Sequence, residues 1–204
     1  MVIIDIKQTS PERYTVCFDN GESIKSTLGA VADMRLYKGR VLDEEQAETF
    51  RTLSVRSLTL EHAVELISLR RMSVKELYNK LVRKGIDEDT ARYCADKLAD
   101  MGLLDDSAYA CAVARHYSAK GYGAGRIRAE FYKRGIDREL WESAFAEIEV
   151  PGDKLQRLLA ARIDDPNDRN QERKAAAFLA RRGYNREQID SALRTFKEEF
   201  EYGS

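Results

Sequence analysis

Hydrophobic and polar residues alternate in two short stretches near the start of the chain, Ile4–Ile6 and Tyr14–Phe18. A period of two is typical of half-buried β-strands, because successive side chains of a strand point to opposite faces. Between the second stretch and Ile24 lies Asp19–Gly21, whose residues tolerate a positive φ and so favour a tight hairpin. The pattern predicts a small antiparallel sheet, an N-terminal β-hairpin, at the start of the protein.

From Leu42 onward the hydrophobic spacing becomes that of helices. Asp43 is a good N-cap, and Gln46 three residues later completes the pattern of a capping box. Helical spacing then continues almost without interruption to the C-terminus. The composition agrees, because only 3 of the 204 residues are proline, 34% are charged and 43% are hydrophobic. The chain is therefore predicted to be mainly α.

One short segment of this helical part is repeated. The sequence Arg83–Asp87 recurs as Lys133–Asp137 and, more weakly, as Arg181–Asn185. In each copy the glycine supplies the left-handed residue that ends a helix, and the cations before it lie at the negative end of the helix dipole. The Asp or Asn two residues after the glycine is a suitable N-cap for the next helix. Each copy therefore predicts a turn between two helices.

Hydrophobic pairs stand at matching offsets on both sides of this turn, which gives each flanking helix an apolar face. The pairs before the turn are Leu77 with Leu81, Ile127 with Phe131, and Ala175 with Leu179. The pairs after it are Ala95 with Leu98, Phe145 with Ile148, and Leu193 with Phe196. A further helix is expected before each unit, over Leu60–Arg71, Ser107–Ala119 and Lys154–Ile163.

These observations predict three tandem three-helix repeats that stack into an elongated, curved body, as is usual for repeat architectures. We expect an N-terminal hairpin and connector over residues 1–41 and a first repeat with its preceding helix over 42–104. A second repeat is expected over 105–150 and a third over 151–204. The hairpin would cover the end of the first repeat.

Several of these segments resemble the RecX family, and the resemblance extends over nearly the whole chain. The first repeat carries it in Arg71–Leu81 and Arg83–Gly85, and the rest lies in Met101–Asp106, Lys120–Gly123 and Arg126–Ile127. The third repeat departs from the pattern, because it has Tyr184–Asn185 after its glycine and an inserted acidic segment, Asp164–Asp168.

The resemblance implies a regulator that acts by binding, as a monomer, and is not an enzyme. Its partner would be the filament of RecA recombinase, a protein of DNA repair, recombination and the SOS response. Binding would mostly inhibit RecA, by restraining its ATPase, strand-exchange and coprotease activities. No cofactor is implied.

A stripe of cations on the repeated helices is the candidate surface for binding this partner or DNA. It consists of Lys80, Arg83, Lys84, Arg126, Lys133, Arg134, Lys174, Arg181 and Arg182. Along one concave edge, these residues would give several linked contacts and a salt-sensitive affinity. The alternative is that they only complement helix dipoles and keep the helices soluble.

A second hypothesis is a helical-repeat protein that binds single-stranded or duplex DNA independently of RecA. The formal net charge of -1 and the pI of about 6.2 argue against it, because proteins held to DNA by bulk charge usually have a pI above roughly 9. Dependence of binding on RecA would separate the two hypotheses.

The sequence offers little for catalysis or for metal binding. Gly121–Gly125 follows a helical stretch and lacks the Lys-Ser/Thr ending of a P-loop. We interpret it as a flexible joint whose glycines let the helices of the second repeat cross closely. His62 and His116 have no nearby nucleophile. The acidic pairs Asp105–Asp106 and Asp164–Asp165 are better explained as helix caps than as metal ligands.

Cysteine usage and hydropathy predict the compartment. Cys17, Cys94 and Cys111 form an odd set without a short-spaced pair, which indicates reduced, mostly packed residues in the cytoplasm. No apolar run approaches the roughly 20 residues that a membrane span requires. Five aromatic residues of the second repeat are expected to pack mostly in its core, although one or two exposed rings could stack on nucleic-acid bases: Tyr109, Tyr117, Tyr122, Tyr132 and Trp141.

Overall fold

The computed structural model describes residues 1–148 and 152–202, and over these ranges it contains a three-stranded antiparallel sheet followed by ten helices. The strands are β1 Ile3–Ser10, β2 Arg13–Phe18 and β3 Ser23–Thr27. The first helices are α1 Leu28–Asp33, α2 Glu44–Leu69, α3 Val74–Arg83 and α4 Glu88–Asp100. They are followed by α5 Asp106–Ala119, α6 Ala124–Lys133, α7 Trp141–Ala146, α8 Gly152–Ala160, α9 Arg169–Arg181 and α10 Arg186–Tyr202. The predicted class, mainly α with a small N-terminal sheet, is confirmed.

The sheet has the order β1-β2-β3, so the expected hairpin is extended by one strand. Val16 of the central strand pairs with Ile6 on one side and with Ile24 on the other. Gly21 adopts a φ of 87° in the turn before β3, the left-handed conformation expected there.

The sheet packs on the first half of α2, a helix that begins with the predicted capping box of Asp43 and Gln46. Phe50 of α2 is fully buried, and its ring lies 6.4 Å from that of Phe18. The helix expected over Leu60–Arg71 is the second half of α2. Unlike the first half, which packs on the sheet, this half packs in the core of the first repeat. One long helix therefore serves both the sheet and the repeat.

Each of the three repeats has its own hydrophobic core. The first core contains Leu77, Leu81, Ala95 and Leu98; the second contains Ile127 and Phe131; the third contains Ala175, Leu179, Leu193 and Phe196. Phe145 and Ile148 pack against the second core while partly exposed. The hydrophobic pairs identified in the sequence thus face inward in every repeat.

The repeated turns have the predicted conformation. Gly85, Gly135 and Gly183 all have a positive φ, between 63° and 90°. Asp87 accepts a hydrogen bond from the Thr90 amide at the start of α4, at 2.8 Å. The carboxylate of Asp137 caps only a 3₁₀ turn, Arg138–Leu140, which precedes α7. The third helix of the second repeat is consequently shorter than its counterparts.

The chain forms two compact units, Met1–Leu104 and Asp105–Ser204. The second unit contains the second and third repeats. The expected boundary between residues 150 and 151 lies outside the described residues, and the division into four parts stays a prediction. Within residues 1–148 and 152–202, no helix combines the length and apolar character needed to cross a membrane.

Candidate partner-binding surface

The nine candidate cations lie on the middle helix of each repeat or in the turn that follows it. The last residues of α3, α6 and α9 are Arg83, Lys133 and Arg181, and all three are exposed. We call these three the exposed turn cations. Among the described residues, neither Lys133 nor Arg181 has a side-chain partner, whereas Arg83 donates to the Asn79 carbonyl of its own helix at 3.1 Å. Equivalent positions thus present a positive charge to solvent.

The next residue of each turn is also a cation, but it is held by the protein. Lys84 donates to Nε2 of His62 at 2.7 Å, and Arg134 donates to Glu130 at 2.8 Å. Arg182 donates to the carbonyl of Lys120 at 2.7 Å. These three cations form hydrogen bonds within the protein that their positions in the sequence do not predict.

The remaining three candidates differ from one another. Lys174 is exposed on α9, Lys80 is half-buried on α3, and Arg126 donates to Glu130 at 3.0 Å. Arg126 and Lys133 lie seven residues apart on α6, but the guanidinium of Arg126 is engaged with the carboxylate of Glu130. Of the nine, Lys133, Lys174 and Arg181 are exposed without a side-chain partner in the described part of the chain.

Glu130 organises the second repeat and was not identified from the sequence. Its side chain is only 6% exposed and lies between Arg126 and Arg134, each four residues away on the helical repeat. A buried carboxylate requires such compensation. Burial raises the pKa of the Tyr117 hydroxyl, and a hydrogen bond with Glu130 raises it further. The sequence did contain a signal for this role, because Glu130 lies four residues from each of two arginines and so on the same helix face.

The glycine-rich segment Gly121–Gly125 packs against the third repeat. The amide of Gly123 donates to the Arg182 carbonyl at 2.8 Å, and that of Gly125 donates to the Gly183 carbonyl at 2.9 Å. These amides belong to the start of α6, so the end of α9 satisfies groups that a phosphate would otherwise bind. The interpretation as a flexible joint within the second repeat is therefore corrected, because the glycines form a close, hydrogen-bonded contact with the third repeat.

The close approach of these two backbone segments requires glycine. A methyl group on Gly123 would lie 2.6 Å from the carbonyl carbon of Gly183, and one on Gly183 would overlap the backbone nitrogen of Arg126. Gly183 also has a φ of 90°, which side chains rarely adopt. We call this contact between Gly121–Gly125 and Arg182–Gly183 the glycine joint.

Arg182 completes the glycine joint through its guanidinium group. It donates from Nη1 to the carbonyls of Lys120 and Gly121, and its Cζ lies 4.8 Å from the ring centroids of both Tyr122 and Phe178. Carbonyl and aromatic groups together suit a planar, delocalised cation better than an ammonium group.

The other candidate groups have structural explanations. Asp105 caps α5 through the Ala108 amide at 2.8 Å, as expected. The cap expected from Asp164–Asp165 is wrong, because Asp168 caps α9 and Asp165 accepts from the Asn167 amide within its own loop at 2.9 Å. Across residues 1–148 and 152–202, no cluster of three or more His, Cys, Asp or Glu side chains could hold a metal ion. Among the five aromatic residues expected in the core, Tyr132 is the exception, with 75% of its surface exposed beside Lys133.

Comparison with known proteins agrees with this architecture. Two family models match, described as the second three-helix domain of RecX over residues 105–144 and the third over residues 153–193. The regulatory protein RecX of Xanthomonas axonopodis pv. citri is 37% identical over 157 residues, which are 75% of this chain and 97% of the relative. The chain belongs to the RecX family. The RecX protein of Stenotrophomonas maltophilia is 35% identical over 156 residues, 74% of this chain and 96% of its own length.

Solved structures of RecX proteins share the fold. A crystal structure of regulatory protein RecX superposes with a TM-score of 0.79 and 22% identity, covering 97% of this chain and 99% of the other. RecX from Lactobacillus salivarius gives a TM-score of 0.64 and 24% identity, covering 70% of this chain and 97% of the other. Family membership identifies the chain as a regulatory protein of the RecX type.

Proposed function

We propose that this protein binds filaments of RecA recombinase and restrains their ATPase, strand-exchange and coprotease activities. Membership of the RecX family carries the proposal, because the match extends over nearly the full length of the relatives. The protein acts by binding, as a cytoplasmic monomer, and uses neither a cofactor nor a catalytic group of its own.

The exposed turn cations support binding to an acidic, repeating surface. Arg83, Lys133 and Arg181 occupy the same place in successive repeats, so the chain offers the same kind of contact three times. Each contact alone is weak, because an exposed ion pair contributes about 0.2–1 kcal/mol. Linked contacts add up to a useful affinity.

The test is DNA-dependent ATP hydrolysis by RecA, titrated with this protein from substoichiometric to equimolar ratios at two salt concentrations. We expect inhibition well below one protein per RecA protomer, weakened by salt. Reversing all three exposed turn cations in one variant, R83E/K133E/R181E, should raise the half-inhibitory concentration about tenfold or more, since tenfold corresponds to about 1.4 kcal/mol.

The matched control reverses three exposed cations elsewhere on the helices, K75E/K97E/R186E, and changes the net charge by the same amount. It should inhibit RecA almost as well as the wild type. Equal losses in the two variants would mean that only overall charge matters. Arg126 and Arg134 are left unchanged, because reversing them would place new acids beside the buried Glu130.

DNA binding without RecA is the second candidate function, and Tyr132 is the observation that favours it. An exposed ring next to an exposed Lys133 is the combination on which single-stranded bases stack. Fluorescence anisotropy with single-stranded and duplex oligonucleotides, without RecA, tests it. Tight binding that the Y132A substitution weakens, together with no effect on RecA, would replace the RecA proposal with this one.

A further inference from the structure

The glycine joint fixes the basic turn of the third repeat against the start of α6. Four hydrogen bonds hold it: two from the amides of Gly123 and Gly125, and two from Nη1 of Arg182. A Cβ atom on Gly183 would overlap the backbone of Arg126, so these two segments of the backbone are in contact. Arg181, an exposed turn cation, precedes Gly183 by two residues, and Gly183 contacts the first turn of α6, the helix that ends in Lys133.

Arg182 is an unusual member of the candidate surface. Its guanidinium lies against the rings of Tyr122 and Phe178, and Nη1 donates to two backbone carbonyls, so this cation has fixed partners inside the protein. A cation held in this way is poorly suited to reach a partner. It is well suited to hold two repeats in a fixed arrangement.

We propose that Arg182, Gly123 and Gly183 are positioning residues, which lock the second and third repeats so that Lys133 and Arg181 engage the partner together. This inference rests on the proposed function. Two cations on a rigid frame bind as one bivalent site, whereas cations on repeats that move independently lose the benefit of linkage. The joint would thus set the affinity without touching the partner.

The first test replaces Arg182 with lysine, which keeps the charge but cannot form the stacked, forked arrangement. R182K should raise the half-inhibitory concentration for RecA ATPase about tenfold, the loss expected when linkage between two sites is relaxed. The matched control is R181K on the adjacent, exposed residue, which should change that concentration less than twofold. A direct charge contact by Arg182 would instead leave R182K as active as the wild type.

A second variant reaches the joint without altering any charge. Gly123 has a φ of -80°, which alanine adopts readily, so G123A disturbs the contact with the Gly183–Tyr184 backbone without straining its own conformation. The control is G29A, where the added methyl group would meet its nearest atom, Oγ1 of Thr27, at an ordinary 3.8 Å. G123A should reproduce the loss seen with R182K, and G29A should not.

Amide hydrogen exchange reports on the joint without RecA. The amides of Gly123 and Gly125 lie at the start of a helix, where no intrahelical partner is available, so slow exchange there requires the joint. We expect slow exchange in the wild type and fast exchange in R182K and G123A, with other core amides unchanged. Fast exchange in the wild type would overturn the proposal.

The outcomes separate this inference from the proposed function. Wild-type inhibition of RecA that R182K and G123A retain in full, although their joint amides exchange fast, would overturn the positioning role alone. No inhibition of RecA by the wild type would overturn the proposed function and the positioning role with it. A loss of inhibition confined to R182K and G123A supports both.

Discussion

At the scale of single residues, Glu130 is a charge buried inside the second repeat. Its carboxylate is almost completely buried and is compensated by Arg126 at 3.0 Å and Arg134 at 2.8 Å. Neither arginine would be neutral in a protein, so removing the acid leaves two positive charges close together. Arg126 and Glu130 lie on α6 and Arg134 is its C-cap, so both compensating charges come from within four residues of the acid.

We therefore expect E130Q to lower the free energy of unfolding by about 1–3 kcal/mol, the usual range when a buried polar partner is removed. Urea denaturation followed by circular dichroism measures it. The control is E198Q on the exposed surface of α10, which should stay within about 0.5 kcal/mol of the wild type. A midpoint for E130Q equal to that of E198Q would contradict the inferred role of Glu130.

Cys94 lies in the core of the first repeat and is completely buried. Burial raises the pKa of its thiol from 9.0 to about 11. A raised pKa in the folded state stabilises the fold below the unfolded pKa, and this contribution disappears as the pH rises from 9 towards 11.

The expected result is that iodoacetamide at pH 9 leaves Cys94 unmodified in the native protein and modifies it in urea. Mass spectrometry of tryptic peptides measures the modified fraction. Cys17, which is only partly buried, is the internal control and should react first in the native state. Rapid native-state modification of Cys94 would show that the first core opens more easily than its packing indicates.

At the scale of elements, the same turn is built three times but in different surroundings. Gly85 and Gly183 have nearly equal φ values, 88° and 90°. A methyl group on Gly85 would meet nothing within 4 Å, whereas one on Gly183 would overlap the backbone of Arg126. The third turn therefore carries a packing requirement in addition to its conformational one.

Substituting alanine should separate these two costs. G85A should destabilise the protein by about 1–2 kcal/mol, the cost of a left-handed alanine. G183A should cost about 4 kcal/mol or more, in the exceptional range for one substitution. Urea denaturation of both variants measures the difference. Equal losses in the free energy of unfolding would mean that the glycine joint can rearrange to accept the methyl group.

At the scale of the whole molecule, hydrophobic cores belong to separate compact units. Phe50 packs with the sheet in Met1–Leu104, and Phe131 packs in the core of the second repeat in Asp105–Ser204. Both side chains are fully buried. A cavity in either core should therefore destabilise its own unit more than the other.

We expect F50A and F131A each to cost about 3–5 kcal/mol locally, as is typical when a buried phenylalanine is truncated. Hydrogen exchange read by mass spectrometry should show faster exchange across residues 1–104 in F50A and across 105–204 in F131A. The two variants serve as controls for each other. Uniform acceleration along the whole chain in both would mean that the two units unfold as one.

Local pattern determined much of this protein. Hydrophobic spacing and the repeated turns predicted the sheet, the order of the helices and the inward-facing pairs of each repeat, because these features depend on neighbours within a few residues. The resemblance identified the family from the same segments. The exposed turn cations were among the predicted surface residues for the same reason, since a helix end is defined locally.

Tertiary structure decided how the cations are used. Arg83 and Lys84 look equivalent in the sequence, as do Arg181 and Arg182, yet the second cation of each pair is bonded to a group from another part of the chain. The partners of Arg182 are carbonyls about sixty residues earlier in the chain. Contacts between residues so far apart depend on how whole helices pack, which no local pattern encodes. The sequence therefore specified the repeats, and packing selected which of their charges remain available to a partner.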